Sequence, residues 1–563
     1  MRRWTGTRLT DYALLLAVAA ALTLPNLGAG SLWDVDEGVN AEAAREMREG
    51  RTWVVPTFNY ELRTAKPVML YWLQRLSYAA FGVSEWSARL PSVLAAWLTV
   101  LLTYELARRM FGRATGLLAG LVLASAVEFC TLAHAATPDA TLLLFTVLTY
   151  YLFWVGHENG GRAWWVPTAA ACGLAALTKG PVGVALPGLV LLLYFAWNRE
   201  PRRLLDQRIG WAVVAFLLVA GPWYGMVTAE TRGAWAKAFF GTENVNRFLT
   251  PMEDHRGPVV FHAAALFAFY APWSVFLVGA VWYGVKWTRG GDPVGVTASH
   301  EARPYRFLVC WFAAYLVFFS LAATKLPNYV LPLYPALAIL TARFLVRWRE
   351  AEVALPRWVM PGAAGGMLVV AVAVGGGLLV AGGVFPDLLP KSVRVFPGLE
   401  KWAVLGLVPL AGAGLMAYFL RCGDRPGYVT AATASAAAFV GLLAAFPVQV
   451  MDRYKAPREL VRATRLADPT REARVAGFDW FQPSVVFYSR REVQKLPSPE
   501  KAAEFLAVPT PGYLFVPEPT WKAWVKAKAP VTCREAAKHF DFYRNCNVLV
   551  VTNVPEDGGV AGR

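Results

Sequence analysis

Long apolar runs constrain this chain more than any other feature. They fall near 12–29, 92–110, 115–132, 138–156, 164–178, 181–197, 211–229, 259–285, 306–323, 328–346, 358–382, 402–420 and 428–447. A helix needs about 20 mostly apolar residues to cross the hydrocarbon core of a bilayer. Within that core only helices or closed barrels satisfy the backbone's polar groups. The runs therefore predict a polytopic α-helical membrane protein of about 13 transmembrane helices. Composition agrees: 56% of the residues are hydrophobic and only 17% are charged, against about a quarter charged in soluble domains.

The basic residues orient these helices. With a cytoplasmic N-terminus, the inner loops hold Arg108, Arg109 and Arg113, then Arg199, Arg202, Arg203 and Arg208. Lys286, Arg289, Arg303 and Arg306 follow, then Arg343, Arg347 and Arg349, then Arg421 and Arg425. The short outer loops at 130–138, 178–181 and 323–328 hold only Lys179 and Lys325. This is the positive-inside pattern of a multi-pass protein of the cytoplasmic (inner) membrane. The net charge of +16 is thus a membrane-orientation signal, and a nucleic-acid partner is excluded. Arg2, Arg3 and Arg8 ahead of the first run read as an uncleaved signal anchor.

Two domains are expected. Residues 1–449 form the membrane domain, with long outer loops at 30–91 and 230–258; loops of that length are usually functional. The Ala/Glu/Arg stretch Ala41–Glu49 suits a helix lying along the surface. Residues 450–563 change character and predict a small extracytoplasmic α/β domain. Its expected strands are 485–488, 513–516 and 548–551, and its helices lie near 456–466, 499–506 and 534–539. Cys130, Cys172, Cys310 and Cys422 read as packing residues, while Cys533 and Cys546 are a candidate pair within the outer tail.

No phosphate loop, dinucleotide fingerprint, zinc-protease motif or nucleophile elbow occurs. What remains is polar residues gathered on the outer face. Asp34, Asp36 and Glu37 follow the first run, and Arg45 and Lys66 lie in the same loop. His134 and Asp139 begin the fourth run, Lys179 sits between the sixth and its predecessor, and Glu243, Asn244, Asn246, Arg247 and His255 occupy the second long loop. Lys325 and Tyr329 close the set. Each has a plainer account: a terminal Lys snorkels, Asp139 suits a helix start, a lone loop His is seldom a ligand, and Arg45 anchors a helix to lipid. Asp34 reads as a solvated loop residue. Together, carboxylates beside lysines on one membrane face fit a site that holds an anionic phosphate and activates a hydroxyl. A lipid phosphate with its tail in the bilayer matches that geometry.

The segment Asp36–Met47, then Lys66-Pro67 with Tyr71-Trp72, resembles the first outer loop of GT-C membrane glycosyltransferases of the protein-O-mannosyltransferase superfamily. The branch it is most similar to is that of the lipid A aminoarabinose transferases. Phe81–Pro91, Thr137–Ala140, Leu177–Gly180 and Lys325–Pro332 continue the resemblance in the family's order, over roughly residues 10–345. The resemblance implies an inverting enzyme that moves a sugar from a polyprenyl-phosphate donor to an envelope acceptor, a glycolipid, other glycan or protein hydroxyl. Asp36 and Asp139 are then the expected catalytic carboxylates. Glu37, Arg45, Lys66, Lys179, Arg247, His255, Lys325 and Tyr329 are the expected substrate-binding residues. In the aminoarabinose transferases an acidic residue precedes the lysine of the Lys-Pro motif and helps a loop histidine hold a metal. Here that position is Ala65, so of that metal site only His255 is matched, as the candidate ligand of a divalent metal. A transporter or flippase of lipid-linked sugars is the alternative; such proteins often carry internal repeats and midplane charges, and neither is seen.

Overall fold

The computed structural model describes residues 3–160, 164–205, 208–250, 256–289, 298–386, 394–530 and 532–555. Among these residues eight helices are long and apolar enough to cross a membrane singly, from Glu85–Phe111 to Arg425–Asp452. Two bent pairs bring the number to ten: Arg113–Ala124 with Val127–Ala133, at 66°, and Phe261–Phe269 with Trp273–Trp287, at 119°. Pro272 marks the second break, because proline cannot donate to a helical ladder and disfavours helix before it. The protein is a multi-pass membrane protein, with fewer such spans than the thirteen runs led one to expect. The remaining runs form helices that are shorter or carry more charge.

The N-terminal helix α1 (Arg3–Thr23) is one of these. It ends well before the expected residue 29, since Leu24 precedes Pro25 and Asn26 takes a φ of +61°. Asp11 within α1 accepts from the Arg113 guanidinium at 2.6 Å and the Tyr104 hydroxyl at 2.7 Å, which ties it to its neighbours.

The segment 30–91 is folded rather than loose. Helix α2 (Asp36–Glu49) leads to a hairpin of β1 (Thr57–Phe58) and β2 (Glu61–Leu62), then to α3 (Met69–Phe81) and α4 (Glu85–Phe111). Asn59 and Tyr60 at the hairpin tip both have positive φ, as a twist-compatible two-residue turn requires. The expected surface helix exists, but Glu37 through Met47 are all buried. It packs between α3 and the helix Pro483–Ser489 of the C-terminal region, not on lipid. After α4 come α5 (Arg113–Ala124), α6 (Val127–Ala133), α7 (Asp139–Glu158) and α8 (Trp165–Lys179).

The C-terminal sheet contains β3 (Arg474–Phe478), β4 (Val493–Leu496), β5 (Gly512–Pro517), β6 (Arg534–Asp541) and β7 (Cys546–Thr552), ordered β4-β3-β5-β7-β6. The first three are parallel, and β7 runs antiparallel to both its neighbours. Period-2 alternation sends Val475, Phe515 and Val550 to one face and Ala476, Leu514 and Val551 to the other, each covered by helices. Two expectations fail here. Residues 485–488, expected as a strand, lie in the helix Pro483–Ser489, where proline suits the first turn and Val485, Val486 and Phe487 are buried. Residues 534–539, expected as helix, form β6 because pairing along β7 overrides local propensity. Cys533 and Cys546 are free thiols. Since Arg534 pairs with Thr552 and Asp541 with Cys546, they sit at opposite ends of the β6–β7 hairpin and cannot reach one another.

Candidate active site

Four elements bring cations and carboxylates to one end of the helices. Lys66 lies in the link from β2 to α3, fixed by Pro67 just before the helix begins. Asp139 is the first residue of α7, and Lys179 is the last of α8. The chain after Lys179 turns at Gly180, whose φ is +74° and whose added Cβ would lie 2.4 Å from the Phe239 ring. Only glycine serves a turn of that shape so close to a neighbour. Asn328 and Tyr329 come from the short helix Pro327–Leu333. Arg247 follows the wide-turned helix Ala238–Asn246, which Asn244 steadies by donating to the Phe239 carbonyl at 2.7 Å. Thr324 donates to the Arg247 carbonyl at 2.9 Å.

Lys66, Asp139, Lys179, Glu243, Arg247 and Tyr329 line one cavity of about 450 Å³. Most of its remaining wall is apolar, including Leu142, Val182, Phe248, Phe318 and Leu331. Lys179 Nζ lies 2.6 Å from Asp139 Oδ1 and 5.4 Å from the centre of the Tyr329 ring. Asn328 donates to the same Asp139 oxygen at 3.3 Å. Lys66 is half-buried, and its ammonium is pushed down to about 8 by burial and by the repulsion of Lys179 and Arg247, with Asp36 opposing them. Crowded cations in an apolar cavity of this size invite an anionic head on an apolar tail.

Asp36 opens a second cavity, of about 460 Å³, whose wall includes Asn26, Trp33, Asp34, Glu37, His134 and Val440. It is exposed, and its charge acts on both Lys66 and Lys179 of the first cavity. Glu37 beside it points inward. Arg89 meets it in a two-pronged ion pair, Nε to Oε1 at 2.8 Å and Nη2 to Oε2 at 2.7 Å. The Trp33 and Ala136 N–H groups donate to the same carboxylate at 2.8 Å and 2.7 Å. Burial alone would raise the Glu37 carboxyl, but Arg89 and these donors outweigh it and hold it below the usual range. Arg89 also donates to the carbonyls of Leu27, Gly30 and Ser31. One buried ion pair thus joins the Asp36 loop to the 134–139 turn that leads to Asp139.

Comparison with known proteins fixes the family. A model for dolichyl-phosphate-mannose-protein mannosyltransferase matches residues 65–224, the stretch that carries Lys66, Asp139 and Lys179. An uncharacterized protein of Aquifex aeolicus is 32% identical over 56% of this chain and 69% of its own length. The undecaprenyl phosphate-alpha-4-amino-4-deoxy-L-arabinose arabinosyl transferase of Erwinia tasmaniensis is 32% identical, the match covering 59% of each chain. The crystal structure of ArnT from Cupriavidus metallidurans bound to undecaprenyl phosphate covers all of both chains with a TM-score of 0.79 at 24% identity, a likeness of fold. The chain belongs to the GT-C membrane glycosyltransferases. The match spans less than two thirds of the Erwinia enzyme.

Not every residue expected to bind substrate lies in a cavity of this GT-C chain. Lys325 turns inward, its Nζ donating to the carbonyls of Ser320 and Ala322 at 2.5 Å each and Phe319 at 3.3 Å. It closes the C-terminal end of the helix Ala298–Leu321, where carbonyls lack partners. Arg45 is 1% exposed, with Nε on Glu42 at 2.7 Å and Nη1 on Glu49 at 2.5 Å. It braces α2 and reaches neither substrate nor lipid. Asp34, expected in solvent, is half-buried and accepts from the Ser484 backbone N–H at 2.8 Å and from its hydroxyl. His255 lies outside the described residues. Arg89 is the residue that sequence reasoning passed over; an arginine one turn into an apolar helix was its signal.

Proposed function

We propose that the chain transfers a sugar from a polyprenyl-phosphate carrier to an acceptor of the cell envelope. The observation that carries this reading is the cationic, apolar-walled cavity, with Asp36 near enough for its charge to act on Lys66. Lys66, Arg247 and the Asp139-paired Lys179 hold the carrier phosphate, the apolar wall takes the isoprenoid, and Tyr329 flanks the phosphate. The relatives, named as transferases that use lipid-phosphate sugars, support a carrier of this class and do not favour a transporter. The distribution of basic residues supports a site on the outer face of the cytoplasmic membrane, with the N-terminus inside and the C-terminal domain outside.

The acceptor approaches Asp36 from the second cavity. Its oxygen attacks the anomeric carbon opposite the bond to phosphate, so configuration inverts. That bond breaks with its electron pair left on the phosphate oxygen, where the cations stabilise the added charge. An acceptor hydroxyl gives its proton to Asp36; with a lipid-phosphate acceptor Asp36 orients the oxygen instead. Asp139 sets the position of Lys179, and Glu37 sets the Asp36 loop through Arg89. Ala65 offers no side-chain ligand atom beside Lys66. This reading takes the phosphate charge on Lys66, Lys179 and Arg247. Mass spectrometry of envelope glycolipids and glycoproteins, with and without the gene, is the test. A sugar missing from one acceptor class supports the reading, and identical profiles overturn it.

A further inference from the structure

The loop that carries Asp36 takes its shape from the C-terminal region. The Ser31 N–H and hydroxyl both donate to Asp452 Oδ1, at 2.8 Å and 2.6 Å. The Leu32 N–H donates to the Tyr488 hydroxyl at 2.8 Å, and the Asp34 N–H to the Tyr543 hydroxyl at 2.8 Å. Only Trp33 among these four finds its partner nearby in sequence, on Glu37. Lys455 donates to the Ser31 carbonyl at 2.6 Å and lies 4.3 Å from the centre of the Trp33 ring. The Asp34 carboxylate takes the N–H and hydroxyl of Ser484, at the start of the helix Pro483–Ser489. Gly38 permits the close approach: a Cβ there would lie 2.4 Å from Asp34 Oδ1 and 2.7 Å from the Ser484 nitrogen.

The Asp36 carboxylate makes no hydrogen bond or ion pair with another described residue. Its direction follows from backbone two residues upstream, and that backbone is bonded to side chains more than 400 residues later in the chain. A domain that only bound acceptor, or only added stability, would have no need to receive these N–H groups one after another.

We infer that the C-terminal domain is the scaffold of the Asp36 loop, with Ser484, Tyr488 and Tyr543 as positioning residues that set where Asp36 meets the acceptor. This rests on the reading of Asp36 as the group that works on the acceptor. It assigns the domain a part in turnover and none in holding the carrier, because Lys66, Lys179 and Arg247 belong to other elements. A misplacement of about 1 Å can cost on the order of a hundredfold in rate.

The test uses the full chain with Ser484→Ala and, separately, Tyr543→Phe, beside Glu500→Ala on the domain's exposed surface. Four readouts are taken: amide hydrogen exchange of residues 31–36, binding of undecaprenyl phosphate, kcat and KM for a carrier-linked sugar, and the unfolding temperature. Both loop variants should speed exchange at 32–36 at least tenfold and lower kcat by about ten- to a hundredfold. Carrier binding and donor KM should match wild type, as should every readout of Glu500→Ala, and the unfolding temperature should fall by no more than the loss of one hydrogen bond explains. Unchanged exchange and kcat in both variants would overturn the inference. So would a fall in kcat matched by equal losses in carrier binding and unfolding temperature. Exchange that responds while even the wild-type chain transfers no sugar would sink the transferase reading and leave the scaffold standing.

Discussion

Lys66 carries the clearest pH dependence of any side chain in the cavity. Burial and the neighbouring Lys179 and Arg247, with Arg63 adding to them, lower it to about 8, and Asp36 pulls the other way. Its folded value lies below the ordinary lysine value, so the charge is present below about pH 8 and lost above it. Donor KM should stay level up to that pH and then climb by roughly tenfold per unit, as one required proton is lost. Lys66→Arg, which keeps its charge, should push the climb out of range; a wild-type KM level to pH 10 would contradict the assignment. Lys325 gives the opposite expectation. Lys325→Ala removes donors from helix-end carbonyls and should cost on the order of 1–3 kcal/mol of stability, with donor KM within twofold of wild type. Lys179→Ala should raise KM and strand the buried Asp139, which thermal unfolding and kinetics together would separate. Motif order marked both lysines equally. Whether an ammonium faces a cavity or its own chain's carbonyls depends on how the preceding helix ends, which spacing does not encode.

At the scale of elements, apolar runs identified the membrane helices because length and hydropathy are nearly sufficient in lipid. They were less informative where polar segments fold against protein. Helix α2 has the composition of an exposed helix, yet it is buried through the Arg45 and Arg89 ion pairs with Glu42 and Glu37. Glu42 meets Arg45 one turn along α2 itself, whereas Glu37 meets Arg89 of α4, a partner that only the tertiary fold supplies. In the C-terminal domain, 485–488 and 534–539 exchanged their expected roles because an Asp34 contact from 450 residues away and the β7 ladder decide them. Gly180 is the element-scale point where sequence and geometry meet. Gly180→Ala would force an L-residue into a conformation that costs on the order of 1–3 kcal/mol and drive its Cβ into Phe239. The shift moves Lys179 at the end of α8, so donor KM should rise severalfold while helix content, read by circular dichroism, stays constant. An unchanged KM would show that the turn does not set the lysine.

Across the whole molecule, two cavities differ in lining, and the charge of Asp36, in the wall of the second, acts on the lysines of the first. The first combines cations with apolar wall, and the second combines carboxylates, Asn26 and His134 with apolar wall from Val440 and Leu443. The Glu37–Arg89 pair and the C-terminal domain both converge on the loop that carries Asp36. That convergence gives the central claim, that Asp36 works on the acceptor while Lys66, Lys179 and Arg247 hold the donor. Sequence brought Asp36 and the lysines to one membrane face through their order among the apolar runs. It could not reveal that a distant domain receives the loop's backbone N–H groups, because tyrosine hydroxyls and a serine carry no pattern of their own. The most direct measurement is transfer from a polyprenyl-phosphate sugar by purified, reconstituted Asp36→Asn. Transfer should fall at least a thousandfold while the variant inserts into membranes and binds undecaprenyl phosphate as wild type does. Transfer at the wild-type rate would contradict the account.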